Sequence, residues 1–280
     1  MIKLISNFFI NNKKIFKKNK LINIKNVLEI HKNNLKLFFS KKYQMKSSPF
    51  SRIIKPNKEI HLIPKSNNYK YIFIFIHGLF ASPLNFVDIF DKFNGPIPDS
   101  FKIILPCAPI QKADFNNKNP TTSWFNISTK YGGIILEDTI DYNELEKSSQ
   151  YIKNIIIEEV KLLNGDYSKI FLSGFSQGAC LTFHIGLSFE FLLGGIACFC
   201  GVPFSYTKIK ENNKKNLNIF IALGFKDDFF QIKFALEQIK NLIGNNSNLI
   251  VKEYPNNGHK VYYDELEDMK KFILNIIEKE

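Results

Sequence analysis

Lys169-Ile170-Phe171-Leu172-Ser173 runs directly into Gly174-Phe175-Ser176-Gln177-Gly178, and an apolar, small-residue segment from Ala179 to Leu187 follows. This order predicts a strand, a sharp turn and a helix, with Ser176 at the apex. A G-x-S-x-G turn forces its serine into a strained backbone conformation, and only small neighbours fit, hence Gly174 and Gly178. The hydroxyl is then presented at the top of a sheet, beside a helix N-terminus. The five-residue pattern alone recurs by chance as a structural turn. Its strand–helix setting makes Ser176 a candidate nucleophile.

A serine hydroxyl is a poor nucleophile at neutral pH, so it needs a base, and the base needs an orienting acid. On an elbow of this kind the acid and then the histidine follow the serine along the chain. The next loop at a strand end is Gly224-Phe225-Lys226-Asp227-Asp228, and the strand after it runs into Pro255-Asn256-Asn257-Gly258-His259. His259 is the candidate base. Either Asp227 or Asp228 could accept its Nδ1 proton, the other being a solvated loop charge or a helix N-cap before Phe229. Of the other histidines, His184 falls in the helix after the nucleophile, His61 in a first strand and His31 in the N-terminal tail. An oxyanion site needs two N–H donors. The residue after the nucleophile, Gln177, offers one. The apolar run Tyr71 to Ile76 leads into His77-Gly78-Leu79-Phe80, where the Leu79 N–H is the second candidate. His77 precedes the nucleophile and reads as a structural hydrogen-bonding residue.

The remaining periodicity is that of an α/β protein with a mostly parallel sheet and helices on both faces. Expected strands are Ile60–Ile63, Tyr71–Ile76, Phe101–Leu105, the run before Ser176, Ile196–Cys200, Leu217–Leu223 and Leu249–Tyr254. Asn143-Glu144-Leu145-Glu146 resembles a capping box and opens a helix bearing Ile152, Ile156, Val160 and Leu163. Further helices are expected over about 229–243 and 263–277. Segment 106–142, with Pro109, Pro120, Trp124 and Gly132-Gly133, has no clear period and follows a strand end, which places it over the site edge.

At 280 residues and 45% hydrophobic content the chain suffices for one large domain, expected over 58–280. The net charge of +12 is misleading as a global figure. Residues 1–46 hold twelve lysines and one acid, Glu29, leaving a nearly neutral body that asks for no nucleic-acid partner. Three readings of this basic N-terminal extension stand: a solvated tail, a targeting presequence for mitochondrion or plastid, or an arm against anionic membrane. The first leaves the protein cytoplasmic. Cys107, Cys180, Cys198 and Cys200 lie in apolar surroundings and read as free thiols, and Cys198-x-Cys200 lacks metal spacing. No apolar stretch reaches membrane-spanning length. The nearest, Phe191 to Phe204, is broken by glycines and reads as a core strand with its turns.

Taken together, Ile76-His77-Gly78-Leu79, Leu105-Pro106-Cys107-Ala108-Pro109, Ser123-Trp124-Phe125, Gly174-Phe175-Ser176-Gln177-Gly178, the Gly224–Asp227 loop and Gly258-His259 occur in one order. In this the chain resembles the acyl-protein thioesterases and carboxylesterases, small α/β-hydrolase-fold serine esterases, over about 58–280. The resemblance implies a cofactor-free, metal-free enzyme with Ser176, Asp227 and His259 as triad and Leu79 and Gln177 as oxyanion donors. It also implies S-acylated proteins, above all S-palmitoylated ones, as substrates. Lipid or small oxyesters, cleaved by a lysophospholipase or carboxylesterase, are the alternative, and a non-catalytic binding protein on the same fold is the alternative of another class. The Leu79-Phe80 and Trp124-Phe125 loops could form an apolar acyl groove, with Phe80, Trp124 and Phe125 as its walls. Phe80 stands where the family has glycine, Asn126 follows Ser-Trp-Phe in place of aspartate, Ala179 replaces a second glycine, and Asp228 replaces a proline. Oligomeric state is not legible.

Overall fold

The computed structural model describes residues 48–91, 95–127 and 137–279. The basic extension 1–46 and the Gly132-Gly133 pair lie outside them. Among the described residues ten strands occur in chain order: β1 (Phe50–Ile54), β2 (Ile60–Pro64), β3 (Tyr71–Ile76), β4 (Phe101–Leu105), β5 (Ile110–Lys112), β6 (Pro120–Thr122), β7 (Ile170–Phe175), β8 (Gly195–Phe199), β9 (Ile219–Lys226) and β10 (Leu249–Gly258). The α-helices are α1 (Pro83–Asp91), α2 (Tyr142–Val160), α3 (Gln177–Ser188), α4 (Glu211–Asn216), α5 (Ile232–Ile243) and α6 (Tyr263–Ile277).

Eight strands form one sheet in the order β1-β2-β4-β3-β7-β8-β9-β10. The pairs β1–β2 and β2–β4 are antiparallel, and every later pairing is parallel. The strand period of two sorts the core. In β3, Ile72, Ile74 and Ile76 enter one buried layer with residues of α2, α3 and α5. Tyr71, Phe73 and Phe75 enter the opposite layer with residues of α1 and α6. That second layer is strongly aromatic. Phe75 meets Phe86 and Phe90 of α1 at centroid separations of 5.0 and 5.1 Å, pairs worth about 0.5–1.5 kcal/mol each beyond their buried area.

Sequence and structure differ at several places. The sheet begins at β1, upstream of residue 58. Only Phe50 of that strand is buried, so no apolar alternation announces it. The cap of α2 is Asp141, whose side chain accepts the Asn143 and Glu144 N–H groups at 3.0 Å each. The supposed capping box at 143–146 lies inside the helix. Helix α1 was not foreseen, nor was the β5–β6 hairpin within the irregular segment. All four cysteines are free, three of them buried and Cys107 half-buried.

Where β7 meets α3 the chain is packed to its limit. A Cβ on Gly178 would lie 2.2 Å from the Ile76 carbonyl oxygen, and one on Gly174 would lie 2.3 Å from the Gly178 carbonyl oxygen. Both obstacles are backbone and cannot swing aside. Gly178→Ala is therefore expected to destabilise the protein by about 3 kcal/mol or more. Thermal unfolding of the variant checks this, and a wild-type midpoint would show that β3 and α3 can separate at little cost.

Candidate active site

The parallel strands deliver their C-terminal ends to one edge of the sheet, and every candidate group emerges there. Ser176 follows β7 with φ 56° and ψ −119°, a strained conformation for a residue bearing Cβ. Its N–H donates to the Phe199 carbonyl of β8 at 2.9 Å, and its own carbonyl accepts the Ala179 and Cys180 N–H groups at 2.9 and 3.1 Å. The turn is thus held on both sides of the hydroxyl.

Ser176 Oγ lies 2.8 Å from His259 Nε2, and His259 Nδ1 lies 2.9 Å from Asp227 Oδ2. A carboxylate can only accept, so Nδ1 carries the proton and donates a hydrogen bond to Asp227, and Nε2 is free to accept from the serine hydroxyl. The other carboxylate oxygen, Asp227 Oδ1, accepts the Phe229 and Phe230 N–H groups at 2.8 Å each. Asp227 is buried and Asp228 is exposed, so the structure brings Asp227 and not Asp228 to the histidine. Asp228 is the solvated loop charge of the two, and neither aspartate caps α5, whose N-cap residue is Gln231. Phe175, Phe229 and Phe230 surround the imidazole at centroid separations of 5.1, 4.6 and 5.8 Å. These rings limit water around His259 and restrain its tilt.

The His77-Gly78-Leu79 loop lies against the serine. A Cβ on Gly78 would meet Ser176 Cβ at 3.2 Å. His77 is buried, with its Nδ1 donating to the Gly78 carbonyl at 2.8 Å and its Nε2 accepting the Ala108 N–H at 3.1 Å. Burial pulls its pKa down to about 4, so it is a neutral tie between the loops after β3 and β4. His184 is likewise buried, in α3, and burial lowers its pKa as well.

Trp124 and Phe125 are wholly buried and present no surface to a groove, a correction to their expected role as walls. Trp124 donates its indole N–H to the His77 carbonyl at 2.7 Å and its backbone N–H to Gln177 Oε1 at 2.9 Å. Gln177 Nε2 donates to the Phe125 carbonyl at 2.6 Å and to Ser123 Oγ at 3.2 Å. Ser148 of α2 reaches the Trp124 carbonyl. The Ser-Trp-Phe segment is thus a brace that ties the helix after Ser176 to the loop after β3. Sequence reasoning missed the side-chain role of Gln177. The joint occurrence of Ser-Trp-Phe and Ser-Gln-Gly was the signal for it. Phe80 keeps 48% of its surface exposed, at φ 64°, with its N–H donated to the Thr122 carbonyl at 3.1 Å. A left-handed φ is the reason glycine suits this position.

Cys200, Asp227 and His259 offer ligand atoms within 4.8 Å of one another. Asp227 and His259 are already each other's partners, so an ion there would compete with their hydrogen bond. No helix among the described residues is long and apolar enough to cross a membrane.

The phospholipase/carboxylesterase family model matches residues 57–277. The chain belongs to this family. Acyl-protein thioesterase 1 of Eremothecium gossypii is 28% identical over 221 residues, covering 76% of this chain and 91% of that protein. A second relative, acyl-protein thioesterase 1 homolog 2 of Dictyostelium discoideum, is 38% identical over 120 residues, 41% of this chain and 51% of that one. Among solved structures, Arabidopsis thaliana SOBER1 superposes with a TM-score of 0.65 at 23% identity, covering 74% of this chain and 99% of that one. Zea mays acyl-protein thioesterase 2 gives 0.65 at 19%, covering 79% and 99%. The fold is that of the α/β-hydrolases, and the protein is a serine hydrolase of the acyl-protein thioesterase and carboxylesterase family.

Gln177→Ala leaves the backbone donor at 177 in place but orphans the buried Trp124 N–H, while Ser123 Oγ and the Phe125 carbonyl each lose one bond and keep the 2.9 Å bond between them. It is expected to cost about 1–3 kcal/mol of stability, the scale of one buried polar group left unpaired. Chemical unfolding reads the loss. A cost below about 0.5 kcal/mol would mean that water replaces the side chain freely.

Proposed function

We propose that the protein hydrolyses acyl thioesters, with S-palmitoyl groups on proteins as substrate, through an acyl-enzyme on Ser176. The unbroken chain from Ser176 Oγ to His259 to Asp227, at 2.8 and 2.9 Å, carries the reading. As Ser176 Oγ attacks the acyl carbonyl, its proton passes to His259 Nε2. Asp227 holds the tautomer and stabilises the imidazolium. The Leu79 and Gln177 N–H groups receive the negative charge that develops on the carbonyl oxygen, aided by the N-terminus of α3. The C–S bond breaks, and the thiolate leaves with the proton from His259. Water, deprotonated by the same imidazole, attacks the acyl-serine, and collapse of that second intermediate returns the proton to Ser176 Oγ.

The acyl-protein thioesterase relatives support the thioester, as do the apolar groups near the catalytic loops. Phe80, Leu84 and Phe225 are 48, 66 and 52% exposed, and an acyl chain would cover such surface favourably. The family's phospholipase and carboxylesterase members favour a second reading, in which the same residues cleave lipid or small oxyesters. We assign residues 1–46 no part in this chemistry. We read them as a tail, a presequence or a membrane arm.

Ser176→Ala is expected to lower kcat/KM about 10⁴-fold or more without altering thermal stability. Asp227→Asn should lower it about 10³- to 10⁴-fold, whereas Asp228→Asn should stay near wild type. Turnover of a palmitoyl-cysteine peptide, lysophosphatidylcholine and p-nitrophenyl esters measures all three and ranks the substrates. Activity of Ser176→Ala within tenfold of wild type would sink the reading. Phe80→Gly tests the acyl site separately. It should shift preference between C16 and C4 esters by about 1–2 kcal/mol, and an unchanged ratio would put Phe80 outside that site.

A further inference from the structure

His259 reaches both partners from the end of β10, so whatever holds that strand end sets both distances. Glu265, in the first turn of α6, has no exposed surface. Its carboxyl faces the histidine's segment with both oxygens. Oε1 accepts Asn257 Nδ2 at 2.9 Å, and Oε2 accepts the Tyr262 N–H at 3.1 Å. The grip therefore falls two residues before His259 and three residues after it. Each held residue is itself fixed to the site. Asn257 is buried, and its carbonyl oxygen would lie 2.3 Å from a Cβ on Gly224, at the start of the turn that carries Asp227. Tyr262 Oη accepts the Gly258 N–H at 3.0 Å, on the residue adjoining His259. The mechanism above uses no atom of Glu265.

We propose that Glu265 is the positioning residue of the catalytic base, its buried carboxyl clamping the segment on both sides of His259 so that the imidazole spans Ser176 and Asp227. This inference rests on the hydrolase reading given above. The groups that face the carboxyl are Asn257 and Tyr262 from the clamped segment, Asp264 on its own helix, Asp227 after β9, Tyr254 on β10 and Cys200 after β8. Burial, reinforced by the two aspartates and opposed by the two hydrogen bonds, pushes the Glu265 carboxyl up to about 8. The clamp is therefore neutral at pH 7 and gains a charge in mildly alkaline solution, where its two accepted bonds become charge-assisted. A clamp that merely filled space would give the reaction no ionisation of its own.

The test compares full-length wild type, Glu265→Gln and Glu265→Ala between pH 6 and 9.5. Kcat and KM on a soluble ester, Ser176 capture by a fluorophosphonate and thermal unfolding are read for each. Glu265→Ala should lower kcat about 10- to 100-fold at little-changed KM, the scale of a misplaced catalytic group. Glu265→Gln keeps one acceptor for two donors and should recover part of that loss. The wild-type profile should carry an ionisation near pH 8 that Glu265→Gln lacks. Fluorophosphonate capture should slow in the same order as kcat. Wild-type kcat in folded Glu265→Ala, or an unchanged pH profile in Glu265→Gln, overturns the inference. Should Glu265→Ala not fold, the kcat and profile of Glu265→Gln decide alone. Ser176→Ala, run alongside, separates the two failures. If it stays active, the hydrolase reading falls. If it is silent while the Glu265 variants match wild type, only the clamp falls.

Discussion

The close approach of β3, β7 and α3 is the constraint on which the site depends. Two backbones meet where no side chain fits, with the Gly178 Cα against the Ile76 carbonyl and the Gly174 Cα against the Gly178 carbonyl. That approach lets Ser176 hold φ 56° and ψ −119°. Strain of this kind costs of order 1–3 kcal/mol and persists only where the surroundings over-determine it. Here the surroundings are the parallel pairing of β3, β7 and β8 and the hydrogen bonds on both sides of the serine. The position of the hydroxyl is thereby a property of the sheet rather than of a loop.

The rest of the site is organised by hydrogen bonds from elements distant in sequence. Asp227 is turned toward His259 because two backbone N–H groups hold its other oxygen. His77 and Trp124 tie the loops after β3 and β4 to the helix that follows Ser176. Most of these ties are buried, so each would leave an unpaired group if broken, which makes the geometry stiff as well as specific. Under the proposed mechanism, donors preorganised in this way would need no rearrangement as charge develops on the oxyanion.

Trp124 shows why an aromatic pair in a loop is a poor guide to a binding groove. From sequence, Trp124 and Phe125 follow a strand end near the site, and a large apolar side chain there suits an acyl chain. In the structure both are buried against the core, and the Trp124 indole N–H serves a backbone carbonyl. Exposed apolar surface near the catalytic loops comes instead from Phe80, which the sequence reading did single out, and from Leu84 and Phe225, which no pattern marks.

What the sequence determined by itself was the order of the central parallel strands with the helices α2, α5 and α6, and Ser176 and His259 as two of the groups that meet. Short-range rules set these: the apolar run of β3, the glycines around Ser176, and the placement of Asp227 and His259 just past strand ends. The tertiary structure decided which of two adjacent aspartates faces the imidazole, because burial and backbone donors across the turn distinguish Asp227 from Asp228. It also decided that β1, with one buried residue, joins the sheet, since an edge strand needs a partner rather than a pattern. The side-chain bonds of Gln177 and Glu265 belong to the same class. Each links segments far apart or on opposite sides of a turn, and such contacts follow from the folded arrangement rather than from local sequence.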